Sequence, residues 1–168
     1  MSERLVESYA VVGSGWRLSA YHPGADVDGK DIVIDELGTY RVLYLQVKVA
    51  THLDSARRVD CRAAYRAEAI PESPRLLYVF GFLDAARIEV DPLWLVPSAD
   101  FNRLAVRHQS PDARAEIQLH FRSRPGGRDR WSPYRVDRLE LGRRLLQIER
   151  TAPRVPALRL PSLYLMRA

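Results

Sequence analysis

The stretch Asp-Val-Asp-Gly-Lys-Asp-Ile-Val-Ile-Asp-Glu-Leu-Gly-Thr-Tyr-Arg-Val-Leu-Tyr-Leu-Gln-Val-Lys-Val-Ala, residues 26–50, decides the fold. It opens with acids: Asp26, Asp28, Asp31 and Asp35 are four of the chain's 12 aspartates. An apolar run over 32–34 separates the last two. A break at 36–39 contains Gly38, and a longer β-branched and aromatic run covers 42–49. Two such runs joined by a few residues containing Gly read as a β-hairpin.

Side chains two apart in a strand share a face. Asp31, Val33 and Asp35 therefore point one way on the first strand, and Tyr44, Gln46 and Lys48 share a face on the second. Hairpin register follows loop length. With 36–39 as the loop, Asp35 pairs with Tyr40 and Asp31 lies opposite Tyr44, on the same face as Gln46 and Lys48. A loop one residue longer or shorter reverses this. In the first register an acid, an amide and an ammonium converge, a set suited to phosphodiester chemistry. A carboxylate binds a hard divalent cation, the cation lowers the pKa of a bound water, and a lysine stabilises developing negative charge. On residue types alone, a solvated acidic turn followed by an edge strand is the commoner reading.

The order of acid-rich turn, Gly29-Lys30-Asp31, apolar strand, short turn and apolar strand ending Gln46-Val47-Lys48 resembles the core of the PD-(D/E)xK phosphodiesterase superfamily. It is most similar to the restriction-endonuclease-like branch in which Gln replaces the second acid. The resemblance implies catalytic roles for Asp31, Gln46 and Lys48. It also implies metal ligation by Asp31, Gln46 and Glu7, the last matching an acid on the helix before the motif, and Mg²⁺ or Mn²⁺ as the cofactor. It covers residues 3–50. The chain departs from the family at two points: Lys30 stands where a Pro precedes the acid, and Gln46 brings no charge.

Composition sets outer bounds. A chain of 168 residues that is 46% hydrophobic reads as one globular domain with a single core. No apolar run is long enough to span a bilayer, and the first residues lack the plan of a signal peptide. A cytoplasmic location is the default expectation. Cys61 is the lone cysteine, which excludes an intramolecular disulfide and a multi-Cys zinc site. Net charge is +5, and with Lys30 and Lys48 the only lysines among 26 basic residues, 24 are arginines. Arginine forks suit phosphate, so DNA is the expected partner. A lysine kept at position 48 fits a role for which a compact, tunable ammonium is needed.

Along the chain, residues 2–12 read as a helix with Ser2 as N-cap and Glu3 and Glu7 on one face. Residues 16–21 read as a first strand. Over 51–74 the pattern is irregular, with 60–65 open between a short strand and a helix end. Residues 76–83 are nearly all apolar and read as a strand buried on both faces. A second such run covers 93–96, and Ser98 or Asp100 caps a helix through Arg107. Residues 115–121 alternate as a half-exposed strand. The loop 122–130 carries Arg122, Arg124, Arg128 and Arg130. With Trp131 it reads either as a nucleic-acid contact, backbone and base-stacking, or as a solvated loop whose aromatic folds onto the core. Residues 137–150 form an amphipathic helix, and 151–168 an apolar, Pro-containing arm that packs on the domain or on a second copy.

Together these readings predict an α/β chain with a central mixed β-sheet flanked by helices, its core restriction-endonuclease-like. The resemblance makes residues 1–150 the nuclease-like domain. It implies a metal-dependent endonuclease-like domain acting on DNA, with a catalytically inactive nucleic-acid- or partner-binding module of the same fold as the alternative.

Overall fold

The computed structural model of the protein describes residues 1–23, 30–39, 41–109 and 116–153. Helix α1 (Ser2–Gly13) leads into β1 (Leu18–Tyr21), β2 (Ile32–Glu36), β3 (Val42–Ala50) and β4 (Val59–Arg66). Then follow β5 (Leu76–Asp84), β6 (Glu89–Pro97), α2 (Ser98–Leu104), β7 (Val106–Gln109), β8 (Glu116–Ser123), β9 (Arg135–Val136) and α3 (Leu141–Thr151). Six strands form one sheet in the order β1-β2-β3-β5-β6-β9, and β4-β8-β7 form a second. β3 and β5 run parallel while their neighbours pair antiparallel, so the central sheet is mixed. The chain is α/β, as its patterning predicts.

The central sheet has a core on each face. Ile32, Ile34, Leu43, Leu45, Val47 and Val79 pack against Val6 and Ala10 of α1 and Leu141 and Leu145 of α3. Tyr78, Phe80 and Trp94 face the other way, onto Phe101 of α2 and Leu119 and Phe121 of the second sheet. The continuous apolarity of β5 and β6 follows from this: both strands are covered on both sides and pair with each other, Phe80 opposite Trp94. α1 and α3 touch backbone to backbone. A Cβ at Gly142 would lie 2.2 Å from both the Ala10 O and the Ser14 N, so only glycine fits there.

Three expectations need correction, and one left open, the stretch after β3, is decided in favour of a strand. The turn 36–39 forms, with Gly38 at φ 83° and the Thr39 N–H donating to the Glu36 O at 3.0 Å, but pairing resumes only at Val42. Asp35 therefore pairs with Val42 and Val33 with Tyr44, a register two residues away from the expected one. The helix after β6 stops at Leu104, because 106–109 is drawn into the second sheet as β7. The irregular stretch after β3 holds an eight-residue strand, β4, that leaves the central sheet and pairs with β8. Finally, α3 begins at Leu141 and runs to Thr151, later at both ends than the pattern suggests. Of the expected C-terminal arm, 154–168 lies outside the described residues, as do Asp26 and Asp28 of the acidic turn.

α3 carries one buried liability. Glu149 is fully buried, and no donor meets either carboxyl oxygen among the described residues. Its neighbour Glu36 bonds Arg150 at 2.9 Å and Arg17; Arg150 first, against the opposing effect of burial, and then Arg17 hold the Glu36 carboxyl below the usual range. Burial, and then the Glu36 carboxylate, push Glu149 the other way. A carboxyl raised in the folded state stabilises below its unfolded pKa, and that stability is lost as pH rises through the folded value. Glu149→Gln should therefore raise the melting temperature at pH 8, by about 2–4 °C for each kcal/mol gained, and change it little at pH 4. An equal shift at both pH values would contradict this.

Candidate functional site

The β2–β3 hairpin builds the site. Its ladder ends at Ile32 opposite Leu45, and Asp31 immediately precedes it. The departure from the expected register is even, so it preserves the face. Asp31, Gln46 and Lys48 lie on the side of the sheet away from α1 and α3, under the second sheet. Asp31 itself sits just before the first residue of β2. Its N–H donates to the Leu45 O at 2.9 Å, and its Oδ2 accepts the Val47 N–H at 2.6 Å. The carboxylate is thereby locked to β3 between the levels of Leu45 and Val47.

Glu7 reaches the same end of the sheet from α1. Its Oε2 is 2.9 Å from His22 Nε2 and accepts from Arg4 Nη1 at 2.8 Å. His22 follows the last residue of β1. The β1–β2 ladder ends at Tyr21 opposite Val33, so through His22 the Glu7 carboxylate is anchored at the end of the sheet where β2 begins. Burial raises the Glu7 pKa, but the bonds from His22 and Arg4 together outweigh it and hold the carboxyl below the ordinary 4.5.

The crossover from β3 to the parallel β5 runs through β4, which passes over the polar face of β3. It brings Tyr65 onto Gln46: the Tyr65 hydroxyl donates to Gln46 Oε1 at 2.6 Å and is 2.6 Å from the Tyr78 hydroxyl on β5. Gln46 is buried by this contact. Between the sheets beside it opens a cavity of about 580 Å³ lined by Lys30, Tyr44, Gln46, Tyr65, Arg66 and Glu72. Lys30 Nζ lies 4.8 Å from the Tyr44 ring centre, a cation–π distance.

Lys48 is half-buried, and its ammonium makes no hydrogen bond or ion pair among the described residues. Its backbone O accepts from Cys61 Sγ at 3.3 Å. Burial, aided by the adjacent Asp60, pushes the Cys61 thiol up to about 12, so this cysteine is an inert core thiol and not a nucleophile. Among the described residues no three of His, Cys, Asp and Glu gather to hold an ion unaided. Two hard carboxylates, Asp31 and Glu7, suit Mg²⁺ or Mn²⁺, since Mg²⁺ keeps several waters and takes one or two carboxylates plus phosphate.

The basic loop meets the site from the side. Leu53, Ala56 and Arg57 after β3 and Arg124 and Pro125 after β8 line one shallow cavity of about 450 Å³, so this loop lies beside the segment that follows Lys48. Arg124, Arg128 and Arg130 are exposed, with Arg130 Nη1 donating to the Leu104 O at 2.9 Å. Arg122 is committed elsewhere: its Nε donates to Asp60 Oδ2 at 3.1 Å. Trp131 corrects the stacking expectation. It is 2% exposed and packed on Phe101 and Phe121, so its ring has no face to offer a base.

Sequence reasoning missed His22, Tyr65, Tyr78 and Arg57. His22 stands in a turn with no periodic signal, and Tyr65 and Tyr78 meet Gln46 only through pairing between the sheets. The Glu7–His22 pair is testable. A carboxyl lowered in the folded state stabilises above its unfolded pKa, and this is lost as pH falls through the folded value. NMR titration should find Glu7 below 4.5 in the wild type and closer to it in His22→Ala; an unchanged Glu7 titration would contradict the pairing.

No family model matches the chain, and no curated protein matches it. Among solved structures it is similar to a bacterial homing endonuclease, I-Ssp6803I, with a TM-score of 0.53 and 14% identity. The match covers 89% of this chain and 91% of that one, so the two share the fold over nearly their whole length.

Proposed function

We propose that the chain is a metal-dependent nuclease that hydrolyses phosphodiester bonds in DNA, of the PD-(D/E)xK kind with Gln46 at the second acidic position. The carrying observation is the hairpin: Asp31 is bonded to β3 at Leu45 and at Val47, on either side of Gln46, and Lys48 lies two residues on from Gln46, on its face. The fold shared with a homing endonuclease supports the same reading. Asp31 and Glu7 are the carboxylates that would hold a divalent ion, which when bound would supply polarisation of the phosphoryl oxygen and a lowered pKa for a water. Hydrolysis forms one P–O bond to water, breaks the P–O bond to the leaving oxygen, and passes one water proton to that oxygen through solvent. Lys48, a compact cation without a competing partner among the described residues, stabilises the charge that develops on the phosphoryl oxygens. Gln46 completes the face. The exposed Arg57, Arg124 and Arg128 bind the DNA backbone beside it. The neutrality of Gln46 favours one alternative, a DNA-binding module of this fold that does not cleave.

The test is cleavage of DNA with Mg²⁺ or Mn²⁺. Asp31→Ala should abolish it. Lys48→Arg keeps the charge but not the compact ammonium and should lose about 10²-fold in turnover. Neither change should alter DNA affinity by more than about threefold. Arg124→Ala with Arg128→Ala should lower the salt dependence of binding by about two charges. Tight, salt-sensitive DNA binding with no cleavage of any DNA substrate would instead establish the binding module.

A further inference from the structure

The two tyrosines over the polar face decide which end of the Gln46 amide the site receives. Tyr78 is fully buried, and among the described residues its hydroxyl meets only the Tyr65 hydroxyl, at 2.6 Å. Burial raises the pKa of both phenols, so each keeps its proton at neutral pH. A buried O–H left without an acceptor is destabilising. Tyr78 therefore donates, and the Tyr65 oxygen accepts. Tyr65 must then direct its own proton to its other neighbour, the Gln46 side chain at 2.6 Å. The atom that receives it is an acceptor, Oε1, and not the amide nitrogen. Reversing the amide would make Gln46 the donor, turn Tyr65 toward Tyr78, and strand the Tyr78 proton in the core.

This polarity has a consequence for the site. Oε1 is the Gln46 side-chain atom able to bind a cation, and the Tyr65 proton takes one of its two lone pairs. The Nε2H₂ group remains, and no protein acceptor takes its protons among the described residues. Asp31 is bonded to the residues on either side of Gln46, and Lys48 lies two residues on.

We infer that Gln46 acts as a hydrogen-bond donor, through Nε2, to a non-bridging oxygen of the phosphodiester rather than as a metal ligand, and that Tyr65 and Tyr78 are positioning residues that hold it in that sense. The inference rests on the nuclease reading and refines it. The neutral residue at the second acidic position exchanges a cation ligand for an anion-binding donor, beside the Lys48 ammonium that acts on the same oxygens.

The experiment pairs Mn²⁺ affinity, read from the electron paramagnetic resonance of free Mn²⁺ without DNA, with turnover at saturating DNA and metal. Gln46→Ala should leave Mn²⁺ affinity within about twofold and lower turnover about 10²-fold, whereas Asp31→Ala should weaken Mn²⁺ at least tenfold. Tyr65→Phe should leave Mn²⁺ binding unchanged, lower turnover about tenfold, and cost nothing further in a Gln46→Ala background. Tyr78→Phe keeps Tyr65 but frees its polarity, and should lower turnover with the same dependence on Gln46; it carries the test if Tyr65→Phe fails to fold. Gln46→Glu should tighten Mn²⁺ binding without restoring or raising turnover. Two results would overturn the inference while leaving the nuclease reading intact: Gln46→Ala weakening Mn²⁺ as Asp31→Ala does, or Tyr65→Phe and Tyr78→Phe costing as much with Ala at position 46 as with Gln. A wild type that cleaves nothing would overturn both readings together.

Discussion

β3 is a strand with a different task on each face, and the fold is arranged to satisfy both. Leu43, Leu45 and Val47 enter the helix-side core, while Tyr44, Gln46 and Lys48 face the second sheet. A strand has only two faces, so a one-residue slip would drive an amide and an ammonium into the packing of α1 and α3. That cost pins the hairpin register. Asp31 reinforces it, because its carboxylate takes the Val47 N–H and ties the start of β2 to β3 by a side chain. The parallel pairing of β3 with β5 then requires a crossover, and the chain uses it to lay β4 across the polar face.

Burying that face would be destabilising if its polar groups were left unmatched. Gln46 and Tyr78 are among its most deeply buried polar side chains, and Tyr65 meets both. The acids are handled differently. Glu7 sits between Arg4 and His22 and stays ionised, whereas Glu149, on the helix side, is fully buried beside another carboxylate and resists ionisation. The two acids are thus shifted in opposite directions by their surroundings, Glu7 down, against burial, by His22 and Arg4 and Glu149 up by burial.

Much of this is legible in the residues. The alternation of β3 and the apolar runs of β5 and β6 are local signals, and they report burial correctly because each strand meets its neighbours in period two. The hairpin register differs from the expected one by two residues, an even shift that keeps the parity of the paired residues. What could not be read is non-local. β4, β7 and β8 separate into their own sheet through pairings such as Asp60 with Arg122 and Val106 with His120, which no local pattern announces. For the same reason Arg122 reads as a free cation in the sequence and proves to be bound to Asp60. Trp131 was ambiguous between stacking on bases and packing inward, and only the aromatic cluster of Phe101 and Phe121 decides it.

The central claim is that a divalent ion binds where the β2–β3 hairpin and the end of α1 meet. Paramagnetic relaxation by Mn²⁺ in NMR spectra of the intact protein tests it without any assumption about cleavage. Sub-stoichiometric Mn²⁺ should broaden the backbone amides of Ile32, Val47 and Lys48 and the His22 ring first, leaving those of β7 and the β8 end sharp. Broadening centred elsewhere, or spread evenly over the surface acids, would contradict the account.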